Sequence, residues 1–179
     1  MNTMQAFIKA KKLREDALPL EYKHKGDSGM DVYACAIKRL DENKKLYEVP
    51  DDIEAWSIMP GETVLVCTGW AVSIPMGTEL QVRLTSGNGL KTKMRIPNAP
   101  GTVDSNYRGE IGVILENTSD KLFMLEKNSK VAQLVLCPVL KAIVRETNEL
   151  DETDRNDKGY GSTGSMINKP VKKISGNDF

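Results

Sequence analysis

Two aspartates in glycine-rich stretches are the residues of this sequence best suited to carry out chemistry. Asp104 lies in the stretch 98–112, and Asp31 follows a small glycine-containing turn. His24 is the only histidine, so a Ser-His or Cys-His nucleophile and a His/Cys metal site are disfavoured. A carboxylate is then the natural general base for activating water. Carboxylates beside a polyphosphate could also support Mg²⁺, which binds through phosphate oxygens, waters and one or two acids.

Two further glycine-containing stretches, 85–91 and 159–164, are predicted to be loops that could bind phosphates through their backbone N–H groups. Neither has the spacing of a Walker loop or of a dinucleotide-binding fingerprint. Each of them alone is also consistent with an ordinary turn. Their combination with Asp104 and Arg155 favours a site for a phosphorylated ligand.

Strands must position these residues. Alternating apolar side chains at 79–84 predict a half-buried antiparallel strand. The stretch 98–112 predicts a β-hairpin whose loop carries the chemistry. Within it, Gly101, Gly109 and Gly112 permit a positive φ or a close approach of the backbone to a ligand.

Turn residues about every ten positions separate further strand-like segments, which predicts an all-β barrel or jelly roll. An edge strand is expected within 5–13. The charged excursion at 38–57 is predicted to form a long hairpin or a short helix that ends near Trp56. The polar segment after 145 cannot bury enough apolar surface to order alone, so it is predicted to be a loose terminus or an arm that orders on a ligand.

The composition argues against several classes of partner. Lys and Arg total 25, as do Asp and Glu, so the formal net charge is zero, which disfavours a general nucleic-acid or membrane-surface binder. The N-terminus lacks the apolar core of a signal peptide, and we expect a cytoplasmic protein. The three widely spaced cysteines, Cys35, Cys67 and Cys137, are predicted to be buried and reduced.

Five segments, taken in order, resemble the five motifs of the trimeric dUTP pyrophosphatases (dUTPases). They are Ser-Gly-Met-Asp-Val at 28–32, Ser-Gly at 86–87, Gly-Thr-Val-Asp-Ser-Asn-Tyr-Arg-Gly-Glu at 101–110, Lys-Val-Ala-Gln-Leu at 130–134, and the stretch from Arg155 to Gly164. The resemblance covers roughly residues 5–164, and its third and fifth motifs are the most specific.

The resemblance implies hydrolysis of dUTP to dUMP and pyrophosphate, which keeps uracil out of DNA and supplies dUMP for dTMP synthesis. It gives Asp104 the role of orienting and deprotonating the water that attacks the α-phosphorus, with assistance from Mg²⁺. Asn98 and the backbone at Gly101 and Gly112 match uracil-contacting positions. Tyr107 matches the residue beneath the deoxyribose, where a ribose 2′-hydroxyl would clash.

The resemblance assigns the phosphates to other segments. Ser86, Gly87 and Gln133 match positions that contact phosphates from a neighbouring subunit, and Gln133 belongs with the catalytic group. Asp31 matches an acid that supports the metal through water. Arg155, also in the catalytic group, matches an arginine that reaches the γ-phosphate. The other matched arm residues are Tyr160, which stacks on uracil, and Gly161, Ser162 and Thr163, which wrap the phosphates.

The implied organisation is one distorted jelly-roll or β-barrel domain over residues 1–164 that assembles as a homotrimer. Its flexible C-terminal arm spans about 145–164, and a polar tail follows at 165–179. The segment 38–57 has no counterpart in the compact core of the family and resembles segments added in some phage enzymes.

One departure from the family's sequence pattern and two alternative functions bear on this interpretation. Thr85 stands where the family usually has an arginine, which predicts weaker triphosphate binding unless Arg83 or Lys91 replaces the lost contact. A dCTP deaminase of related fold is disfavoured by the Asp-x-x-Tyr-Arg-Gly pattern at 104–109. A regulatory protein that uses a dUTPase scaffold could bind a partner through the 38–57 insertion.

Overall fold

The computed structural model describes residues 5–50 and 54–159. Within these ranges the chain forms thirteen strands and one short helix. Their bounds are β1 Lys9–Lys12, β2 Met30–Tyr33, β3 Ala36–Leu40, β4 Leu46–Glu48, β5 Ala55–Ile58, β6 Thr63–Cys67, β7 Trp70–Ser73, β8 Thr78–Leu84, α1 Ser86–Lys91, β9 Met94–Arg95, β10 Gly101–Asp104, β11 Gly112–Asn117, β12 Phe123–Glu126 and β13 Lys130–Pro138.

Two antiparallel sheets supply most of the fold. One has the strand order β10-β8-β13-β2, and the other has the order β4-β3-β6-β11-β9. Two shorter pairs, β1 with β7 and β5 with β12, complete the described strands. Alternation along each strand turns one set of side chains inward and the other outward. The inward sets from both sheets form one hydrophobic cluster, so the architecture is a β-sandwich.

Strand β8 illustrates how the sequence sets this pattern. Leu80 and Val82 are buried, whereas Arg83, which follows Val82, is exposed. Leu134 on the neighbouring strand β13 lies opposite Val82 and is fully buried. The predicted half-buried strand at 79–84 is therefore confirmed, as is the all-β class.

Two predictions about local structure are wrong. Residues 85–91 are not a loop, because Ser86–Lys91 forms helix α1. Thr85 has an extended backbone at its N-terminus, and the Asn88 side chain donates a hydrogen bond of 2.8 Å to the carbonyl of Lys130. This contact with β13 holds a turn whose small residues have little helix preference of their own.

The stretch 98–112 is also not a two-stranded hairpin. Strand β10 pairs with β8, and strand β11 pairs with β6 and β9. The chain between Asp104 and Gly112 therefore crosses from one sheet of the sandwich to the other. Turn residues between two strand-like runs are the same in a hairpin and in a crossover, and only long-range pairing distinguishes them.

The segment 38–57 contains a hairpin, which is one of the two predicted alternatives. Strand β3 pairs with β4 and also with β6. The helix alternative is wrong, since Trp56 lies in β5, pairs with Leu125 of β12 and is 2% exposed. Both ends of the predicted insertion are thus parts of the sandwich.

The chain divides into two compact units, Met1–Lys141 and Ala142–Phe179. The sandwich lies in the first, and the described residues of the second, 142–159, contain no helix or strand. All three cysteines are free; Cys35 and Cys67 are buried, whereas Cys137 is half-buried. No helix in the described part of the chain has the length and hydrophobicity needed to cross a bilayer.

Candidate active site

A cavity of about 250 Å³ lies where the chain crosses between the two sheets. The end of β10 and the start of β11 both contribute to its lining, which brings Asp104 and Gly112 together. The predicted site residues found there are Asn98, Gly101, Asp104, Tyr107 and Gly112. We call this space the crossover cavity.

Backbone contacts hold the crossover loop in shape. The N–H of Tyr107 donates to the carbonyl of Asp104 at 3.1 Å, and the Tyr107 hydroxyl donates to the carbonyl of Glu110 at 3.0 Å. The Arg108 guanidinium donates to the carbonyl of Ser105 at 2.8 Å. Arg108 therefore stabilises the loop. Asp104, at the start of the loop, is exposed.

The crossover positions require glycine because neighbouring side chains come close to the backbone there, and not because the backbone has a positive φ. A Cβ on Gly112 would lie 2.5 Å from Cδ1 of Leu65, and one on Gly101 would lie 3.2 Å from Cβ of Val82. A Cβ on Gly109 would collide with the Tyr107 ring. Side chains at these positions would require Leu65, Val82 or the tyrosine ring to move.

An ion-pair network fixes the far end of the loop. Arg14 Nε donates to Glu110 Oε1 at 2.8 Å, and the two terminal nitrogens of Arg14 contact the two carboxylate oxygens of Glu48 at 2.7 Å each. The N–H of Gly69 donates to the same Glu110 oxygen at 2.8 Å. We call Arg14, Glu48 and Glu110 the crossover network. Sequence reasoning assigned no role to these three residues.

Charge pairing perturbs the network's pKa values. The hydrogen bonds that Arg14 donates to Glu48 and Glu110 raise the pKa of Arg14 far above its usual value. The hydrogen bond from Arg14 is the main cause of the lowered pKa of Glu48. Burial opposes ionisation of Glu110, but the bonds from Arg14 and Gly69 leave its pKa lower than usual. All three groups are charged at neutral pH.

This network should make stability depend on pH. Because both glutamates have folded pKa values below the usual 4.5, their stabilisation is present above that pH and is lost as pH falls through the lowered values. We expect Arg14→Gln to lower Tm at pH 7 by about 2–8 °C, for a loss of about 1–2 kcal/mol. The measurement is thermal unfolding between pH 7 and pH 3.

The difference in Tm between wild type and Arg14→Gln should shrink by about half or more as the glutamates become protonated. Arg95→Gln serves as the control, since Arg95 forms a 2.7 Å pair with Glu116 but its side chain is 61% exposed. A difference that stays constant down to pH 3 would contradict the electrostatic account.

A second cavity, of about 270 Å³, collects the other predicted residues of the sandwich. Asp31 of β2 lies directly opposite Gln133 of β13, and Ser86 at the start of α1 lines the same space. Lys130 Nζ contacts Asp31 Oδ2 at 3.1 Å. We call this space the helix-edge cavity. Gly87 is exposed in α1 and is not among its lining residues.

Cations in the helix-edge cavity differ from the expected replacements for the family arginine. Lys23 and Lys130 line it together with Thr85. Arg83, by contrast, donates from Nε to Gln81 Oε1 at 2.9 Å, and Lys91 is outside the lining. Lys130 thus supplies a positive charge in direct contact with Asp31. In the sequence, Lys130 is marked only by its place at the start of the 130–134 motif.

The two cavities share no lining residue. Asp104 lies opposite Glu79 of β8, whereas Gln133 lies opposite Arg83 of the same strand. Asp104 and Gln133 are therefore two strands and four residues apart, which is about 16 Å between Cα atoms at standard sheet spacings. The two side chains therefore start from well-separated positions within one copy.

The predicted arm is described only in part. Arg155 Nε donates to the carbonyl of Lys158 at 3.0 Å, and the side chain is exposed. Tyr160, Gly161, Ser162 and Thr163 lie outside the described residues, as does the tail at 165–179.

Comparisons with known proteins agree on one family. The dUTPase family model matches residues 51–164. The deoxyuridine 5'-triphosphate nucleotidohydrolase of Hydrogenobaculum sp. is 46% identical over 154 residues, which are 86% of this chain and 95% of that protein. The enzyme of the same name from Picosynechococcus sp. is 41% identical over 154 residues, 86% of this chain and 96% of that protein.

The fold also resembles that of a solved structure. A mutant of the Staphylococcus bacteriophage 80alpha dUTPase, solved with dUpNHpp, superposes with a TM-score of 0.70 at 23% identity. The match covers 89% of this chain and 99% of that one. This likeness confirms the predicted fold class.

Proposed function

Because the chain belongs to the dUTPase family, we propose that it is a dUTP diphosphatase that hydrolyses dUTP to dUMP and pyrophosphate. The observation that carries this proposal is the crossover cavity. It combines an exposed carboxylate at Asp104, a tyrosine ring at Tyr107 and the glycine backbone at Gly101 and Gly112. These are the groups needed to bind a pyrimidine deoxynucleoside and to activate water beside it.

The base and sugar would occupy the crossover cavity. Backbone groups at Gly101 and Gly112, with the Asn98 amide, supply donors and acceptors for the uracil edge. A hydrogen-bonding site of this kind rejects bases whose edge presents the wrong groups. Tyr107 would lie against the deoxyribose.

Asp104 would act as the general base. Its carboxylate takes one proton from a water molecule as the water oxygen bonds to the α-phosphorus. The bond from that phosphorus to the bridging oxygen of the β-phosphate breaks, and the electron pair leaves with pyrophosphate. The carboxylate is exposed at the rim of the cavity, where a water and a phosphate can both reach it.

The phosphates would contact the helix-edge cavity of a neighbouring copy. Ser86 offers a hydroxyl, Gly87 a backbone N–H, and Gln133 a side-chain amide. The separation of the two cavities within one chain supports a shared site, and we propose a homotrimer. Within 140–150, four large apolar side chains that are at least 84% exposed are further candidates for burial between copies: Leu140, Ile143, Val144 and Leu150.

The helix-edge cavity fits Mg²⁺ by an indirect mode of binding. Among the described residues no group of three or more His, Cys, Asp or Glu could hold a metal. Mg²⁺ retains waters and binds through phosphates with few carboxylates, so Asp31 would hold the ion through water. When bound with the triphosphate, Mg²⁺ neutralises phosphate charge.

The arm would complete the site. Arg155 carries the charge to pair with the γ-phosphate, and a guanidinium suits bidentate phosphate binding. We propose that Tyr160 stacks on uracil and that Gly161, Ser162 and Thr163 wrap the phosphates.

Product analysis with dUTP and with dCTP tests the proposed function. With Mg²⁺, dUTP should yield dUMP and pyrophosphate in equal amounts, whereas dCTP should release no ammonia. Ammonia from dCTP would favour the deaminase alternative, and absence of pyrophosphate from dUTP would overturn the proposal. The partner-binding alternative is favoured by one observation, the exposure of Leu40, Leu46 and Tyr47 on the β3–β4 hairpin, and it stays a prediction.

Sugar selectivity should depend on the Tyr107 ring. We expect Tyr107→Ala to raise the kcat/KM for UTP relative to dUTP by about tenfold or more, because the ring that excludes a 2′-hydroxyl is removed. The measurement is competition between UTP and dUTP at limiting enzyme. Unchanged sugar selectivity would refute this role of Tyr107.

A further inference from the structure

We propose that Arg14 is a positioning residue for the nucleoside, and that the β3–β4 hairpin tunes substrate selectivity through Glu48, Arg14 and Glu110. This inference rests on the proposed function. It gives the hairpin a part in the active site, although the hairpin contributes no residue to the crossover cavity.

The first step is the geometry at Arg14. One guanidinium contacts two carboxylates, Glu48 from strand β4 and Glu110 from the crossover loop, at 2.7 to 3.2 Å. The side chains of Arg14 and Glu110 are 18% and 16% exposed. Paired geometry of this kind, partly shielded from water, holds its members more firmly than a single exposed ion pair.

The second step leads from Glu110 to the nucleoside cavity. Its carboxylate accepts the N–H of Gly69, and its carbonyl accepts the hydroxyl of Tyr107 at 3.0 Å. Glu110 itself lines the crossover cavity. A shift of Glu110 therefore changes the anchor of the ring proposed to lie against the deoxyribose.

The third step is the contact between hairpin and loop. A further cavity, of about 420 Å³, has Leu46 and Glu48 of the hairpin in its lining together with Tyr107, Glu110 and Gly112. Tyr107 thus lies between the crossover cavity and a space lined by the hairpin. With Glu48 present, Arg14 is held between the hairpin and the crossover loop. Without Glu48, Glu110 is the one remaining carboxylate among the described residues that Arg14 contacts.

The test uses Glu48→Gln, which removes one charge from the network and keeps the side-chain shape. We expect the KM for dUTP to rise about 5- to 20-fold and the preference for dUTP over UTP to fall by a similar factor, with kcat within about twofold. Glu116→Gln is the matched control, because it removes the carboxylate of the Arg95 pair at the other end of β11. The control should change neither quantity.

A double-mutant cycle separates positioning from general loss of stability. Tyr107→Phe removes the hydroxyl that donates to Glu110. If Glu48 acts through this contact, then adding Glu48→Gln to Tyr107→Phe should change selectivity by less than about twofold. Fully additive effects would overturn the inference, as would a Glu48→Gln protein that has a lower Tm but wild-type selectivity.

Hydrogen exchange provides a readout that does not depend on turnover. The amides of Gly69 and Tyr107, bonded to Glu110 and Asp104 respectively, should exchange at least about fivefold faster in Glu48→Gln than in Glu116→Gln. A wild-type protein that fails to hydrolyse dUTP would overturn the proposed function, and the exchange rates would still decide whether the hairpin positions the loop. Equal exchange rates in the two variants would overturn the inference alone.

Discussion

Asp104→Asn should lower kcat for dUTP by about 10²- to 10⁴-fold, the usual contribution of a general base. The amide has the size of the carboxylate but cannot take a proton from water at neutral pH. Asp104 lies at the end of β10 and is exposed, so the change buries no new group and leaves the strand pairing intact. Binding of a non-hydrolysable dUTP analogue should be retained.

Single-turnover kinetics and calorimetry with such an analogue measure the two quantities separately. Glu79→Gln is a suitable control, because Glu79 lies directly opposite Asp104 on β8 and is another carboxylate of the same sheet face. It should keep a kcat close to that of the wild type. An Asp104→Asn protein that retains more than about a tenth of the wild-type rate would contradict the base assignment.

The sequence was informative where the signal is local. Alternation at 79–84 places Leu80 and Val82 in the core, as observed. The predicted residues of the crossover cavity are close in sequence, and three of them, Gly101, Asp104 and Tyr107, fall within seven positions. Short separations leave little freedom in how such groups can be arranged.

Features that depend on contacts between distant parts of the chain could not be predicted from local sequence patterns. Arg14 and Glu110 are 96 positions apart, and an arginine in a charged segment has no local property that reveals its partner. The helix at Ser86–Lys91 depends on a contact between Asn88 and β13. The crossover between sheets follows from the partners of β10 and β11, not from the turn between them.

The proposed division of the site between copies has the most decisive consequence. Within one chain, Asp104 and Gln133 are about 16 Å apart at standard sheet spacings, so each active site should combine the crossover cavity of one copy with the helix-edge cavity of the next. Copies with Asp104→Asn lack the base. Copies with Ser86→Glu carry a new negative charge on the exposed start of α1, where it should repel the triphosphate. Each variant alone should be nearly inactive.

Mixed assemblies of the two variants should recover activity. In a closed ring with random mixing at equal amounts, about one site in four joins an intact Asp104 from one copy with an intact Ser86 from its neighbour. The measurement uses co-expression with two different tags and purification of the doubly tagged assemblies. That selection removes the single-variant rings, so in a trimer we expect about a third of the wild-type kcat per site. If each copy carried a complete site, every site would contain one defect and the mixture would be no more active than its components.

Dilution of wild-type copies provides the converse measurement. Copies with both Asp104→Asn and Ser86→Glu, mixed randomly with an equal amount of wild type, leave about a quarter of all sites intact if the site is shared. About half remain intact if each chain works alone. Both experiments depend on the same distance between the cavities. Recovery of activity in the first experiment, together with a quarter of the wild-type activity in the second, would show that neighbouring copies both contribute residues to each site. Half the activity in the second experiment would contradict the shared site even if the enzyme is trimeric.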